Sequence, residues 1–312
     1  MDRTDECANV SPVISIIIAV HNDWTMLDRC LSSIAQQTGP RFECVVVDDG
    51  SAEPAPRSIR SWGQRFPLTI LGKKHEGVSV ARNTGTRSST APLLLFVDAD
   101  CRVAPACLAE LASAVAAWPE QGFFQLRLAG DCSTPTGRAE ELRLAMLQQH
   151  MLQPDGRIRY LNTAAFAARR AAVDEAAGLF DPLALRGEDT LLLAQLIQRN
   201  QLPRFVPNAV VQHFVPSSFL ACLRKDIRSG YFQSGTYARI SETGVKVRVG
   251  SWARVRMLKA SWQAARKESI GRSAWFRLLA RQLAERTVSL GSQLLKIYPK
   301  MPERAHIVQK SE

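Results

Sequence analysis

The sequence predicts an α/β protein, a mostly parallel sheet flanked by helices, followed by a basic helical extension. Three short runs, ISIIIAV (14–20), ECVVVDD (43–49) and PLLLFVDAD (92–100), are apolar without alternation and rich in β-branched residues. Strands buried on both faces of a parallel sheet read this way. Helix-like segments separate the runs, which implies right-handed β-α-β crossovers. Charge is also divided unevenly: residues 1–220 hold 21 Lys and Arg against 23 Asp and Glu, whereas residues 221–312 hold 19 against 6. The net +11 of the chain therefore sits in its last quarter.

In order, the pattern gives strand 13–20, helix 23–37, strand 42–48, helix 56–65, strand 67–71, helix 78–89, strand 92–97 and helix 104–118. Gly39 and Pro40 punctuate the first helix end, while Pro92 and Pro105 stand where a strand and a helix begin. GFFQLRLAG (122–130) reads as a further strand, and 138–153 as a helix stopped by Pro154-Asp155-Gly156. The segment 160–181 reads as a strand and a short helix, and Glu188-Asp189 opens another helix, where the dipole favours carboxylates whatever their function. VVQHF (210–214) follows a strand. Helices are expected at 217–240, 251–268 and 273–296, the last with Phe276, Leu279, Leu283, Leu290 and Leu294 on its apolar face and Arg277, Arg281 and Glu285 away from it. Residues 1–215 make the body and 216–312 the basic extension.

At 312 residues and 46% apolar content the chain can bury a full core, so disorder is excluded as the default. Seven cysteines without C-x-x-C spacing, and a start (1–10) without an apolar segment, suggest reduced thiols and a cytoplasmic location. The longest uncharged stretch, 205–223, carries Pro207, Asn208, Gln212, His213 and Pro216, too many breakers and polar groups for a lipid-facing helix. The basic region seeks an anionic surface, at the inner membrane face or on nucleic acid. Lack of an aromatic stacking pattern argues against nucleic acid. GxSxG, Walker-type and GxGxxG loops are missing, against hydrolase, kinase and dinucleotide readings.

In open α/β sheets ligands bind at the carboxyl ends of strands, which brings Asn22, Asp49 and Asp100 toward one crevice. IIIAVHN (16–22), VVVDDGS (45–51), HEGVSVARNTG (75–85), FVDAD (96–100) and GED (187–189) stand in an order that resembles the family 2 glycosyltransferases of the GT-A fold, which move sugars from nucleotide diphosphosugars. The resemblance covers about the first 215 residues. It implies an inverting enzyme and a donor site built from Ala19, Val20, His21, Asn22, Asp48, Asp49, Arg82 and Asp98. Asp49 or Asp48 would accept a hydrogen bond from the base, and Asp98 would bind the ribose or a metal-bound water. Arg82 would meet the diphosphate or pair with Asp98.

A departing diphosphate gains negative charge, which a hard divalent cation stabilises; Mg²⁺ or Mn²⁺ on Asp100 would serve. His213 is either a second metal ligand or a satisfied core histidine. Asp189 would be the general base for the acceptor hydroxyl, with Glu188 orienting the acceptor or the base. Where the family usually has proline and tyrosine in its first turn, this chain has Ala19 and His21, so His21 either stacks on the base or has no role. No QxxRW-like element follows GED, which favours single-sugar addition, from a UDP-sugar foremost, to a glycan or glycolipid acceptor. A polyprenyl-phosphate sugar synthase and a basic binding protein with an inactive body are the alternatives.

Overall fold

The computed structural model describes residues 13–174, 178–184, 186–242, 244–247, 251–267 and 272–297. The N-terminal stretch, Cys7 and the end of the helix expected to reach 268 lie outside them. The first half runs β1 (Ile14–Val20), α1 (Trp24–Ile34), β2 (Phe42–Asp49), α2 (Arg57–Ser61), β3 (Leu68–Lys73), α3 (Val78–Arg87), β4 (Leu93–Val97), β5 (Cys101–Val103) and α4 (Cys107–Ala117). Then follow β6 (Phe123–Gly130), α5 (Pro135–Met151), β7 (Ala165–Arg169), α6 (Glu188–Gln198), β8 (Arg204–His213), α7 (Phe219–Glu242), α8 (Ser251–Lys267) and α9 (Arg272–Leu294).

The strands form one mixed sheet in the order β3-β2-β1-β4-β7-β6-β8-β5. Pairings β3-β2, β2-β1, β1-β4 and β6-β8 are parallel, whereas β4-β7, β7-β6 and β8-β5 are antiparallel. The regular β-α-β half is thus parallel as expected, and the second half brings in the antiparallel strands. The three-residue β5 pairs only with β8 and has no pattern of its own to read.

Burial on both faces explains the unalternated runs. Ile14, Ile16 and Ile18 pack with Leu27, Leu31 and Leu108 on the side of α1 and α4. Ile17 faces the other way, toward Phe96, Phe166, Phe180 and Leu192, while Val45 and Val47 meet Ala81 of α3. Fully burying each such side chain contributes about 1.5–3 kcal/mol. Caps set helix starts: the Asp23 side chain accepts from the Met26 amide at 3.3 Å, and Thr134 accepts from Gly137 at 2.9 Å with Pro135 in the first turn. Of the six described cysteines, all free thiols, only Cys132 is exposed.

The apolar face expected on α9 is turned to solvent. Phe276, Leu283, Leu290 and Leu294 are exposed, and Ala274, Leu278, Arg281, Ser289 and Ser292 are buried instead. The reason is a close crossing with α7: a Cβ added to Gly230 would lie within 2.3 Å of the Glu285 carbonyl oxygen. No side chain fits at that point, and Gly230 supplies none. Arg281 is drawn inside by Asp226, to which it donates at 3.1 Å.

Candidate active site

A cleft of about 540 Å³ opens at the carboxyl ends of β1, β2 and β4, where the strand order changes direction. Ala19, Val20, His21, Asp49, Arg82, Asp98, Asp100, Glu188, Asp189 and His213 all line it. Residues from six regions of the sequence therefore share one cavity. Asn22 and Asp48 do not line it. Asn22, at φ +58°, accepts from the Ala52 amide at 2.7 Å on its side chain and donates its own backbone amide to the Ser51 hydroxyl at 2.8 Å, tying the turn after β1 to the turn after β2. Asp48 accepts from the Ser51 amide at 2.9 Å and closes that second turn.

Gly50 makes the turn at φ +75°, and a Cβ there would meet the His75 amide nitrogen at 2.5 Å. The close approach brings the loop after β3 onto Asp49. Its carboxylate accepts from Lys73 Nζ at 2.9 Å and from the Glu76 and Gly77 amides at 3.0 and 2.9 Å, with His75 Nδ1 also at 2.9 Å. Against burial, the Glu76 amide and then Lys73 hold Asp49 below the usual carboxylate range. Such an occupied carboxylate anchors a loop and has little capacity left for a nucleotide base. The loop it anchors instead stacks His75 on His21, with ring centroids 4.3 Å apart at the cleft wall.

Arg82 is buried on α3 and bridges two acids: Nη2 donates to Asp98 at 2.6 Å and Nη1 to Glu188 at 2.7 Å. Of the two roles open to Arg82, the structure has the pair with Asp98. Against burial, Arg82 holds Glu188 below its usual range, a fixed anion in the cleft wall. Its neighbour differs. Asp189 lies in the first turn of α6, after Gly187 at φ +81°, and its Oδ1 accepts from the Thr190 amide at 2.6 Å. Oδ2 has no partner among the described residues. Burial, and then the charge of Glu188, push the Asp189 carboxyl up to about 7.

Asp100 Oδ2 and His213 Nε2 stand 3.3 Å apart, brought together by the β5-β8 pairing of Cys101 with His213. The spacing is that of an ion pair, and since two donors about 2.1 Å from one octahedral ion also lie roughly 3 Å apart, the pair would suit a divalent cation that displaces the His213 proton. No group of three or more His, Cys, Asp or Glu among the described residues is arranged to hold an ion. A divalent ion here would have these two protein donors, with water and phosphate supplying the rest of its shell.

Several functional neighbours carry no readable signal. Lys225 of α7 reaches within 3.6 Å of Asp100 Oδ2. Opposing burial, His213 first and then Lys225 hold Asp100 well below the usual range. Behind His213 lies the buried Glu140, 3.7 Å from Nδ1, itself bound by Arg143 at 2.6 Å and by Arg281 at 3.3 Å. Asp100 and Glu140 raise His213 to about 9 against burial. Lys225, Gln233 and Arg281 all belong to the C-terminal helices, whose composition spoke only of net charge.

The cleft thus gathers acids at strand ends with a carboxyl opposite them. The sequence profile described as glycosyl transferase family 2 matches residues 15–177, and the chain belongs to that family. It is similar to validoxylamine A glucosyltransferase of Streptomyces hygroscopicus subsp. jinggangensis, 37% identical over 98 residues, which are 30% of this chain and 23% of that one. Glycosyltransferase AglE of Haloferax volcanii is 35% identical over 94 residues, 29% of this chain and 31% of the relative. Pre-mycofactocin glycosyltransferase of Mycobacterium tuberculosis is 27% identical over 206 residues, 64% of this chain and 42% of the relative. The matches thus span less than half the length of these curated relatives.

Two solved structures share the fold. Mannosyltransferase PcManGT from Pyrobaculum calidifontis, in complex with GDP-Man and Mn²⁺, superposes with a TM-score of 0.60 at 18% identity, over 93% of this chain and 89% of that one. S. aureus TarS 1-349 in complex with UDP gives 0.55 at 17%, over 92% and 93%.

Proposed function

We propose that the enzyme transfers a single sugar, with inversion, from a nucleotide diphosphosugar to an acceptor hydroxyl. A UDP-sugar is the first donor to try, and cell-surface glycan or glycolipid synthesis the setting. The observation that carries the reading is a carboxyl poised near 7, Asp189, in the same cleft as the Asp100-His213 pair. A general base works best with a pKa near the working pH, and Asp189 Oδ2 is available to take the acceptor's proton. Asp100 and His213 would hold a Mg²⁺ or Mn²⁺ ion, which when bound stabilises the charge of the leaving diphosphate. Asp98, fixed by Arg82 and about a third exposed in the cleft, would meet the donor. The His21-His75 pair offers a stacking wall for the base.

The basic extension supports a second element of the reading, peripheral binding to an anionic membrane face. No helix among the described residues is long and apolar enough to cross a membrane. Yet Phe276, Leu283 and Leu290 of α9 and Ile297 just beyond it repeat at intervals of seven and are all exposed, an apolar stripe beside basic side chains. Pelleting with anionic but not neutral vesicles, reversed by salt, is the expected result; equal pelleting with both removes the idea.

The test of the reaction is a screen of nucleotide sugars for release of nucleotide diphosphate, with the anomeric configuration of the product read by NMR. Turnover should require a divalent ion and fall in Asp100→Asn. Full turnover in that variant, or without divalent ions, overturns the metal assignment, and a retained anomeric configuration overturns the displacement.

A further inference from the structure

Between α5, α7, α8 and α9 lies an open groove of about 270 Å³, walled mostly by Leu142, Met146, Met257, Leu278, Leu279 and Leu283, with Arg143, Glu285 and Arg286 also in its lining. Protein interiors are close-packed, so leucine and methionine side chains left facing a gap between helices favour an apolar guest. Its volume is below the roughly 300–1,000 Å³ of sites that enclose a whole small molecule, so it suits a chain segment. A helix from a second copy, about 10 Å across with its side chains, does not fit.

Both ends of the groove lead somewhere. At the outer end Leu283 and Leu290 belong also to the exposed stripe of α9. At the inner end Gln233 of α7 lines both the groove and the active-site cleft. Arg143 on the groove side donates to Glu140 on the cleft side at 2.6 and 3.2 Å, so one ion pair forms the partition. Glu285, also in the groove wall, is raised above its usual range first by burial.

We infer that the groove binds a hydrocarbon chain of the acceptor, making the acceptor an amphiphile whose hydroxyl-bearing head enters the cleft past Gln233. This rests on the transfer reaction proposed above and names its substrate class. A chain buried there leaves the membrane along the α9 stripe and presents its head to Asp189 from the side opposite the nucleotide-binding strand ends.

Hexyl, octyl and decyl maltosides, each below its micelle concentration, are titrated calorimetrically into the full-length protein. Affinity should rise roughly tenfold for each two methylenes added. Met257→Trp, which fills the groove, should weaken decyl maltoside at least tenfold, and Leu279→Phe by less, with nucleotide diphosphate affinity and thermal midpoint unchanged. Leu294→Glu, exposed and outside the groove, should bind as wild type. Affinity independent of chain length, equal binding in the filled variants, loss in Leu294→Glu instead, or a dimer that Leu283→Glu splits would each overturn the inference. Nucleotide-sugar turnover on a short-chain acceptor without decyl binding sinks the groove alone; no nucleotide-sugar binding sinks the reaction itself.

Discussion

Asp189 and Glu188 are adjacent carboxylates with opposite fates, and the difference is one guanidinium. Arg82 bonds Glu188 and holds it ionised, and the resulting charge, with burial, keeps the proton on Asp189 up to about 7. Because the deprotonated base is the active form, kcat/KM should climb about tenfold per pH unit below 7 and level above it. Asp189→Asn should lose about 10²- to 10⁴-fold in kcat with nucleotide affinity intact. Activity that survives this substitution would instead favour a phosphate acceptor, which needs no base. The raised pKa also has a stability sign. An unfolded aspartate releases its proton near 4, so the contribution is full below that and is lost as pH rises through about 7. Asp189→Asn should therefore be more stable than wild type at pH 8, by about 1–3 kcal/mol in urea unfolding. Arg82→Met should cost about 3–5 kcal/mol, most of it from Glu188, since water screens the more exposed Asp98. Residue types in spaced motifs marked the cleft members in advance. They could not show that Asp49 is saturated by the 73–77 loop or that Asn22 and Asp48 hold turns, because those partners come from other segments.

At the level of elements, the strand ends and helix starts of the first half were legible because β1, β2 and β4 are covered on both faces and each crossover is local. The antiparallel insertion of β7 between β4 and β6 was not, since pairing partners leave no mark on a short run. On α9 periodicity misled: it measures where leucines lie on a helix, whereas burial was decided by how closely Gly230 lets α7 approach. Gly187 illustrates an element set by backbone alone. It precedes α6 at φ +81°, a conformation that costs other residues about 1–2 kcal/mol. Gly187→Ala should lose that much stability and turn Asp189, and the thermal midpoint and kcat should fall together.

For the whole molecule, the division into a near-neutral body and a basic extension understates how the two meet. Lys225 and Gln233 line the cleft, and Arg281 reaches Glu140 behind His213. Arg281→Leu unpairs Asp226 and removes one of the cations on Glu140, so it should cost about 3 kcal/mol or more and raise the divalent-ion concentration needed for half-maximal rate. An unchanged ion requirement would show that the contact is structural only. Membrane tests are accordingly cleaner with surface charge variants than with a shortened chain. The ion pairs around Glu140 also bear on modularity. A chimera carrying another enzyme's tail would leave that carboxylate short of a counter-ion next to the cleft, so exchange at positions 140, 226 and 281 is tolerated only in concert, and body and tail are heritable as a matched set.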